Sequence, residues 1–160
     1  MSGRRLPDLG ARGEGWFAIQ IVLFAVIAAA GSLGPAWSGM TRGAALAIGL
    51  VLIVAGGLFS LRGVLDLRSS LTPFPRPLPD ARLVETGSYR LARHPIYGGL
   101  IVGAVGWGLA TASPIALAGG AVLAGFFDLK SRREEVWLEE QYTGYDEYRR
   151  RTRRLLPWIY

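Results

Sequence analysis

The stretch IYGGLIVGAVGWGLATASPIALAGGAVLAGFF, Ile96 to Phe127, holds no charged residue and is interrupted by one turn signal, Thr111-Ala112-Ser113-Pro114. An uncharged run of this length exceeds a single membrane crossing, which takes about 20 residues. The interruption therefore divides it into a helical hairpin of two short legs, 95–110 and 114–130. Gly99 and Gly103 make a GxxxG step continued by Gly106, while Ala116, Gly119, Gly120 and Ala124 supply small residues on the second leg. Such residues let backbones approach closely, so the two legs are expected to pack tightly on each other.

Working outward, Gly15 to Thr41 and Gly43 to Leu61 are equally free of charge, and the charged residues crowd into the gaps and ends. A soluble helix needs a polar face; segregation of this kind is what a bilayer selects. The expected architecture is all-α and integral to the membrane. It has four transmembrane helices, at about 16–34, 43–65, 95–110 and 114–130, with a loop at 66–94 and a tail at 131–160 carrying a C-terminal helix. All of it forms a single membrane domain. A cleaved signal peptide is the weaker reading of the first run, because the uncharged stretch continues past Ala28-Ala29-Ala30-Gly31 to Thr41. Trp16 and Trp37 sit where interfacial anchors belong, and Pro73, Pro75, Pro77 and Pro79 keep the loop extended.

The chain carries a net charge of +6. Arg4, Arg5 and Arg12, then Arg68, Arg76, Arg82, Arg90 and Arg93, then Lys130 and the arginines from Arg132 to Arg154 fall on one side of four spans, against Arg42 alone on the other. This is the positive-inside pattern with both termini cytoplasmic, and it needs no nucleic acid to explain it. The absence of cysteine and the single histidine exclude disulfides, thiolate nucleophiles and multi-histidine metal sites. No metal is expected.

The polar stretch entering the hairpin, LVETGSYRLARHPIYGG from Leu83 to Gly99, contains that one histidine, His94, followed by Pro95. Proline favours the first position of a helix, so Arg93 and His94 should stand at a helix mouth with free N–H groups, a place suited to an anion. An antiparallel hairpin returns Glu134 and Glu135 to the same membrane face, near Tyr89 and Tyr97. Each feature also has a plainer reading. Glu134 can pair with Lys130 and Glu135 with Arg132, for a few tenths of a kcal/mol each, and the series Tyr142, Tyr145, Tyr148 can be a packing face.

Taken together, Leu83-Val84-x-x-Gly87-x-Tyr89-x-x-x-Arg93-His94-Pro95-x-Tyr97-x-Gly99, then Arg133-Glu134-Glu135-x-x-Leu138, Tyr145-x-x-Tyr148 and Arg154-Leu155-Leu156-Pro157, resemble the isoprenylcysteine carboxyl methyltransferase and phospholipid methyltransferase superfamily. The resemblance covers roughly the second half of the chain. It implies a membrane enzyme using S-adenosylmethionine, with Tyr89, Arg93, His94, Pro95, Tyr97, Gly98 and Gly99 on one wall of the cofactor site and Glu134 and Glu135 on the other. It also implies transfer chemistry at Arg133, Glu134 and Glu135, and contacts to the acceptor from Tyr142 and Tyr145.

The acceptor is expected to be a lipid or small hydrophobic molecule bearing a carboxylate, amine or thiol and entering from the bilayer. A carboxylate needs no general base; an amine or thiol does, with Glu134, Glu135 or a tyrosine as the group. Two alternatives stand beside this. One is an NADPH-dependent reductase of the related sterol-reductase type, disfavoured by the proline after His94; the other is a non-enzymatic membrane protein with a lipid-binding basic tail. The richness in arginine, alanine and glycine points to a bacterial inner membrane.

Overall fold

The computed structural model describes residues 6–39 and 41–160. Arg4 and Arg5 of the basic N-terminal arm lie outside the described residues. Five helices follow in order: α1 Glu14–Leu33, α2 Thr41–Leu67, α3 Pro95–Ala110, α4 Pro114–Gln141 and α5 Tyr145–Arg151. Short 3-10 turns occupy Arg68–Ser70 and Gly87–Arg90. The described residues form no strand, only an isolated parallel bridge between Ala92 and Arg153.

Helices α1, α2 and α4 are long and apolar enough to cross a bilayer, while α3 has 16 residues. Their outward faces are apolar and bare: Val22, Val26, Val51, Val54 and Leu58 all stand exposed. In water such a surface would be an aggregation hazard; in lipid it is the expected exterior.

The second hairpin leg does not stop near residue 130. α4 runs without a break through Asp128 and both glutamates to Gln141, so leg and tail helix are one rod. Pro114 and the Ser113 hydroxyl, which accepts the Ala116 N–H, start it. No glycine or proline follows Gly125 until Gly144, whose positive φ of 91° turns the chain into α5. At 1.5 Å per residue α4 is about 42 Å long, more than the roughly 30 Å hydrocarbon layer, so its charged third projects beyond the apolar zone.

Gly99 and Gly106 of α3 meet α2, while Gly108 meets Leu117 of α4. A Cβ on Gly56 would overlap the Gly99 carbonyl, and one on Gly49 would lie 2.6 Å from the Gly106 carbonyl oxygen. Gly49, Gly56 and Gly63, all buried, form a stripe at a seven-residue spacing that complements Gly99 and Gly106. Gly119 of α4 instead receives Ile27 of α1. Trp16 is buried against Phe126, with its indole N–H donating to the Pro7 carbonyl at 3.1 Å, and so is a packing residue rather than a lipid-facing anchor.

The C-terminal segment tucks under the mouth of α3. The Arg93 and His94 N–H groups donate to the carbonyls of Arg153 and Arg154 at 2.8 and 2.9 Å, and Leu155 is buried beside them. Arg153 and the end of the chain, Trp158, Ile159 and Tyr160, are exposed.

Candidate functional site

Helix α3 starts at Pro95 with His94 as its cap residue, as the sequence requires. α4 runs antiparallel beside it and delivers Glu134 and Glu135 to the same end. The Arg93 Nε donates to Glu135 at 2.8 Å, and the Tyr97 hydroxyl donates to Glu134 at 2.8 Å. His94 lies between them. Its Nδ1 is 3.8 Å from Glu134 and its Nε2 3.4 Å from Glu135, the latter without hydrogen-bonding geometry. The rings of His94, Tyr97 and Phe127 stack nearly parallel, at 5.5 and 4.5 Å between centroids.

The two acids have different occupations. Glu135 is buried and ringed by Arg93, His94 and Arg154, whose Nη2 is 3.4 Å away. Arg93 also donates to the backbone carbonyls of Arg149 and Thr152. These contacts lie inside the protein, so Arg93 and Glu135 form a clamp that holds the C-terminal segment, with Arg93 also bordering the chamber described below. Glu134 is part-exposed and faces open space. Neither acid makes the local pair expected of it: Arg132 bridges to Asp128 at 2.8 Å, and Lys130 donates to Gln20 of α1 at 2.6 Å.

Glu134 borders two adjoining spaces. The first is a narrow chamber of about 80 Å³ walled by Tyr89, Tyr142, Tyr145 and Tyr148, with Leu83 and Val84 behind. Its roof is the proline-rich strap, in which Pro75 is fully buried. Arg76 ties that strap to the N-terminal segment through the carbonyls of Arg12 and Ala11. The second space, about 220 Å³, is bounded by Gln20, His94, Tyr97 and Leu100 and shares Leu67, Thr72 and Glu134 with the chamber. Beyond Leu100 an apolar cleft of about 450 Å³ opens between α1, α2 and α3, lined by Phe24, Ile53, Gly103 and Trp107 among others. The three spaces adjoin in a row from a tyrosine-walled end to an apolar end within the helices, the first two sharing Glu134 and the last two sharing Leu100.

Burial pushes the hydroxyls of Tyr89, Tyr145 and Tyr148 well above the usual tyrosine range, with the Glu134 charge adding to the effect at Tyr89 and the Glu135 charge at Tyr145. At neutral pH they are donors, and none is a base. Tyr148 donates to the Tyr89 carbonyl at 2.7 Å. The Tyr145 hydroxyl is buried on the chamber wall with no partner among the described residues. An unmet buried donor costs about 1–3 kcal/mol, so this hydroxyl is a donor available to whatever occupies the chamber.

The remaining sequence candidates fall as follows. Arg133 points away from both spaces, where it reaches Asp8 at 2.5 Å and stacks on Trp137 at 3.9 Å, because it stands a 100° step round α4 from Glu134. Tyr142 and Tyr145 share the chamber wall with Tyr89 and also line a further, polar space of about 230 Å³ at the turn into α5. Gly98 and Gly99 are consumed by packing: a Cβ on Gly98 would overlap the Leu155 carbonyl, and one on Gly99 the Gly56 carbonyl and Ser60. Pro95 is fully buried as the first residue of α3. Sequence reasoning missed Arg154 and Gln20. Gln20 had a signal, as the one amide in an otherwise apolar run.

Residues 44–144 match the family profile described as phospholipid methyltransferase. Two rice proteins, from Oryza sativa subsp. indica and subsp. japonica, both described as a probable protein-S-isoprenylcysteine O-methyltransferase, are each 32% identical to the chain over 117 residues. The matched region is 70% of this chain and 61% of each relative, so the chain spans about three fifths of the length of these proteins.

Proposed function

The chain belongs to the phospholipid methyltransferase family, and on that premise we propose that it is an S-adenosylmethionine-dependent membrane methyltransferase acting on a lipid or small hydrophobic acceptor. The observation that carries the proposal is the row of adjoining spaces past Glu134. A soluble, charged cofactor and an apolar acceptor can meet there from opposite ends.

The residues present fit the cofactor. Tyrosine faces suit a purine, the unpartnered Tyr145 hydroxyl suits a ring nitrogen or ribose oxygen, and the Glu134 carboxylate suits a hydroxyl or a sulfonium charge. Held there, S-adenosylmethionine would supply an already activated methyl group, with the neutral thioether as leaving group. What this chain contributes is alignment and exclusion of water. Tyr97 holds the Glu134 carboxylate in place, while the Arg93–Glu135–Arg154 clamp fixes the wall on which both sit.

Chamber and adjoining space together reach only the low end of the roughly 300–1,000 Å³ typical of small-molecule sites. Cofactor entry therefore requires the proline strap to lift. In our reading α3 completes a fourth crossing, and both ends of the chain lie on the cytoplasmic side with the chamber.

Calorimetry on the purified protein in detergent tests the reading: S-adenosylhomocysteine should bind, and Glu134→Ala should weaken it by about tenfold or more, the loss expected for a charged hydrogen-bonding partner. Incubating membranes with radiolabelled S-adenosylmethionine should label a lipid-extractable product. No binding of either cofactor form, or binding of NADPH instead, overturns the proposal.

A further inference from the structure

The arginines at the end of the chain divide into two sets. Arg149 pairs with Glu139, Arg151 with Glu85, and Arg154 with Asp128 and Glu135. Arg150 and Arg153 are exposed, as is Arg90, two residues before the Ala92 that bridges to Arg153. No carboxylate of the described residues pairs with any of these three.

Beyond Arg154 the chain closes on itself. The N–H groups of Leu155 and Leu156 both donate to the Tyr160 carbonyl, at 2.7 and 3.0 Å, and the Tyr160 N–H returns to the Leu156 carbonyl. The loop is pinned at both sides. Its Leu155 carbonyl lies against Gly98, in the first turn of α3, where a Cβ would overlap it. Its Tyr160 hydroxyl donates to Asp128 of α4 at 2.9 Å and accepts from Arg132 at 3.1 Å. Asp128 is the residue that ends the uncharged run from Ile96 to Phe127, so the two contacts set the loop at the level where apolar rods give way to charge. At its tip Trp158 is 84% exposed and Ile159 77%. Trp158 has a φ of 62°, in the left-handed region that a bulky residue rarely adopts. A closed loop, fixed to two helices and holding an indole outward at a backbone cost, is a built feature, and strain of this kind points to function.

We propose that the loop 155–160 is a docking surface for anionic phospholipid, in which Trp158 and Ile159 enter the boundary between headgroups and acyl chains while Arg90 and Arg153 take the lipid phosphates. The height of the loop matches the layer in which indole rings settle. Unpaired arginines beside an apolar tip match a surface that is negative outside and apolar beneath. The inference does not depend on the methyltransferase reading, but it bears on the chamber. Arg154 and the N–H groups of Arg93 and His94 tie this segment to the clamp around Glu135, so lipid that seats the loop also steadies that wall.

The test uses the full chain, which has no cysteine of its own, with Ile159→Cys carrying a nitrobenzoxadiazole fluorophore, in nanodiscs. A fixed share of phosphatidylcholine brominated high on its acyl chains reports depth, while phosphatidylglycerol replaces plain phosphatidylcholine stepwise. Quenching should rise to saturation with phosphatidylglycerol and fall again in high salt. Arg90→Gln and Arg153→Gln should each raise the half-saturating fraction by about fivefold, the share of one arginine at an anionic surface. Arg42→Gln, at the far end of α2, should leave it unchanged. In the unlabelled protein the amides of Arg93, His94 and Leu155, whose bonds hold the segment, should exchange more slowly in anionic than in neutral discs; this readout stands even where the labelled variant folds poorly. Equal exchange in the two discs overturns the proposal. So does quenching that is as strong in phosphatidylcholine alone, or absent at every composition. A blue shift without quenching puts protein rather than lipid over the tip, and a response to soluble glycerol phosphate in neutral discs makes the arginines a site for a free anion; either result also overturns it.

Discussion

Removing the Glu135 carboxylate would leave Arg93 and Arg154 side by side in a buried space with nothing to neutralise them. Breaking a buried ion pair from one side costs about 3–5 kcal/mol. Glu135→Ala should therefore lower the unfolding temperature sharply and expose the segment after Thr152 to proteolysis. Glu134→Ala, at a part-exposed position, should leave the unfolding temperature nearly unchanged while losing the cofactor. Adjacent acids thus separate into one that holds the wall and one that faces the ligand, and the two measurements distinguish them. Tyr145→Phe removes a hydroxyl that has no partner among the described residues. It should leave the free protein as stable or slightly more so, yet weaken S-adenosylhomocysteine by about 1 kcal/mol, or roughly fivefold, the worth of one hydrogen bond. The same burial sets a pH dependence. Tyr89, Tyr145 and Tyr148 ionise higher in the folded protein than in the unfolded chain, where tyrosine ionises near about pH 10. Above that pH the unfolded state sheds protons that the folded state keeps, so stability falls as pH rises through it. Thermal unfolding from about pH 7 to 11 should show the loss only at the alkaline end, and a shallower loss in Tyr145→Phe.

Among the elements, the proline strap is the part expected to move. Its proline residues remove backbone donors, and besides the packing of Phe74 on Phe17 and of the buried Pro75 it is tied by Arg76 and by the Gln141 side chain, which donates to the Leu78 carbonyl at 2.8 Å. Few internal bonds and a position over the chamber make it a segment of low local stability. Hydrogen exchange should find the amides of 71–84 fast in the free protein and protected on addition of S-adenosylhomocysteine; unchanged exchange would mean that the cofactor enters elsewhere. The α2–α3 contact is the opposite case. Gly56 touches the backbone of α3 directly, so Gly56→Val must separate two rods that meet at their main chains. Overpacking of this kind costs about 1–3 kcal/mol or more, and the variant should be recovered in low yield with a lowered unfolding temperature. Gly57, one residue on, meets nothing within 4 Å, and Gly57→Ala should be silent by the same measurement.

At the scale of the whole molecule, orientation is open to a direct test because the chain has no cysteine of its own. Single cysteines at Ser70 and Thr143 should react with an impermeant reagent from the cytoplasmic side and one at Ser38 from the other, as four crossings require; labelling of all three from one side would refute the arrangement. Much of this plan is written in the sequence, since blocks without charge, a turn at Ser113-Pro114 and proline after His94 are local signals that lipid and backbone geometry translate directly into helices and their ends. The juxtaposition of His94 with Glu134 and Glu135 also followed, because an antiparallel hairpin returns its second leg to the level at which the first began. Four things were decided only in three dimensions: that α4 continues unbroken past residue 130, that Gly99 and Gly106 of α3 seat against α2, that Arg93 spends its charge on Glu135 and the C-terminal segment, and that Lys130 reaches across to Gln20. Each depends on which face of a uniformly apolar rod turns toward which neighbour. Periodicity is silent on that when every face is apolar, and the close packing of backbones and the pairing of buried charges decide it.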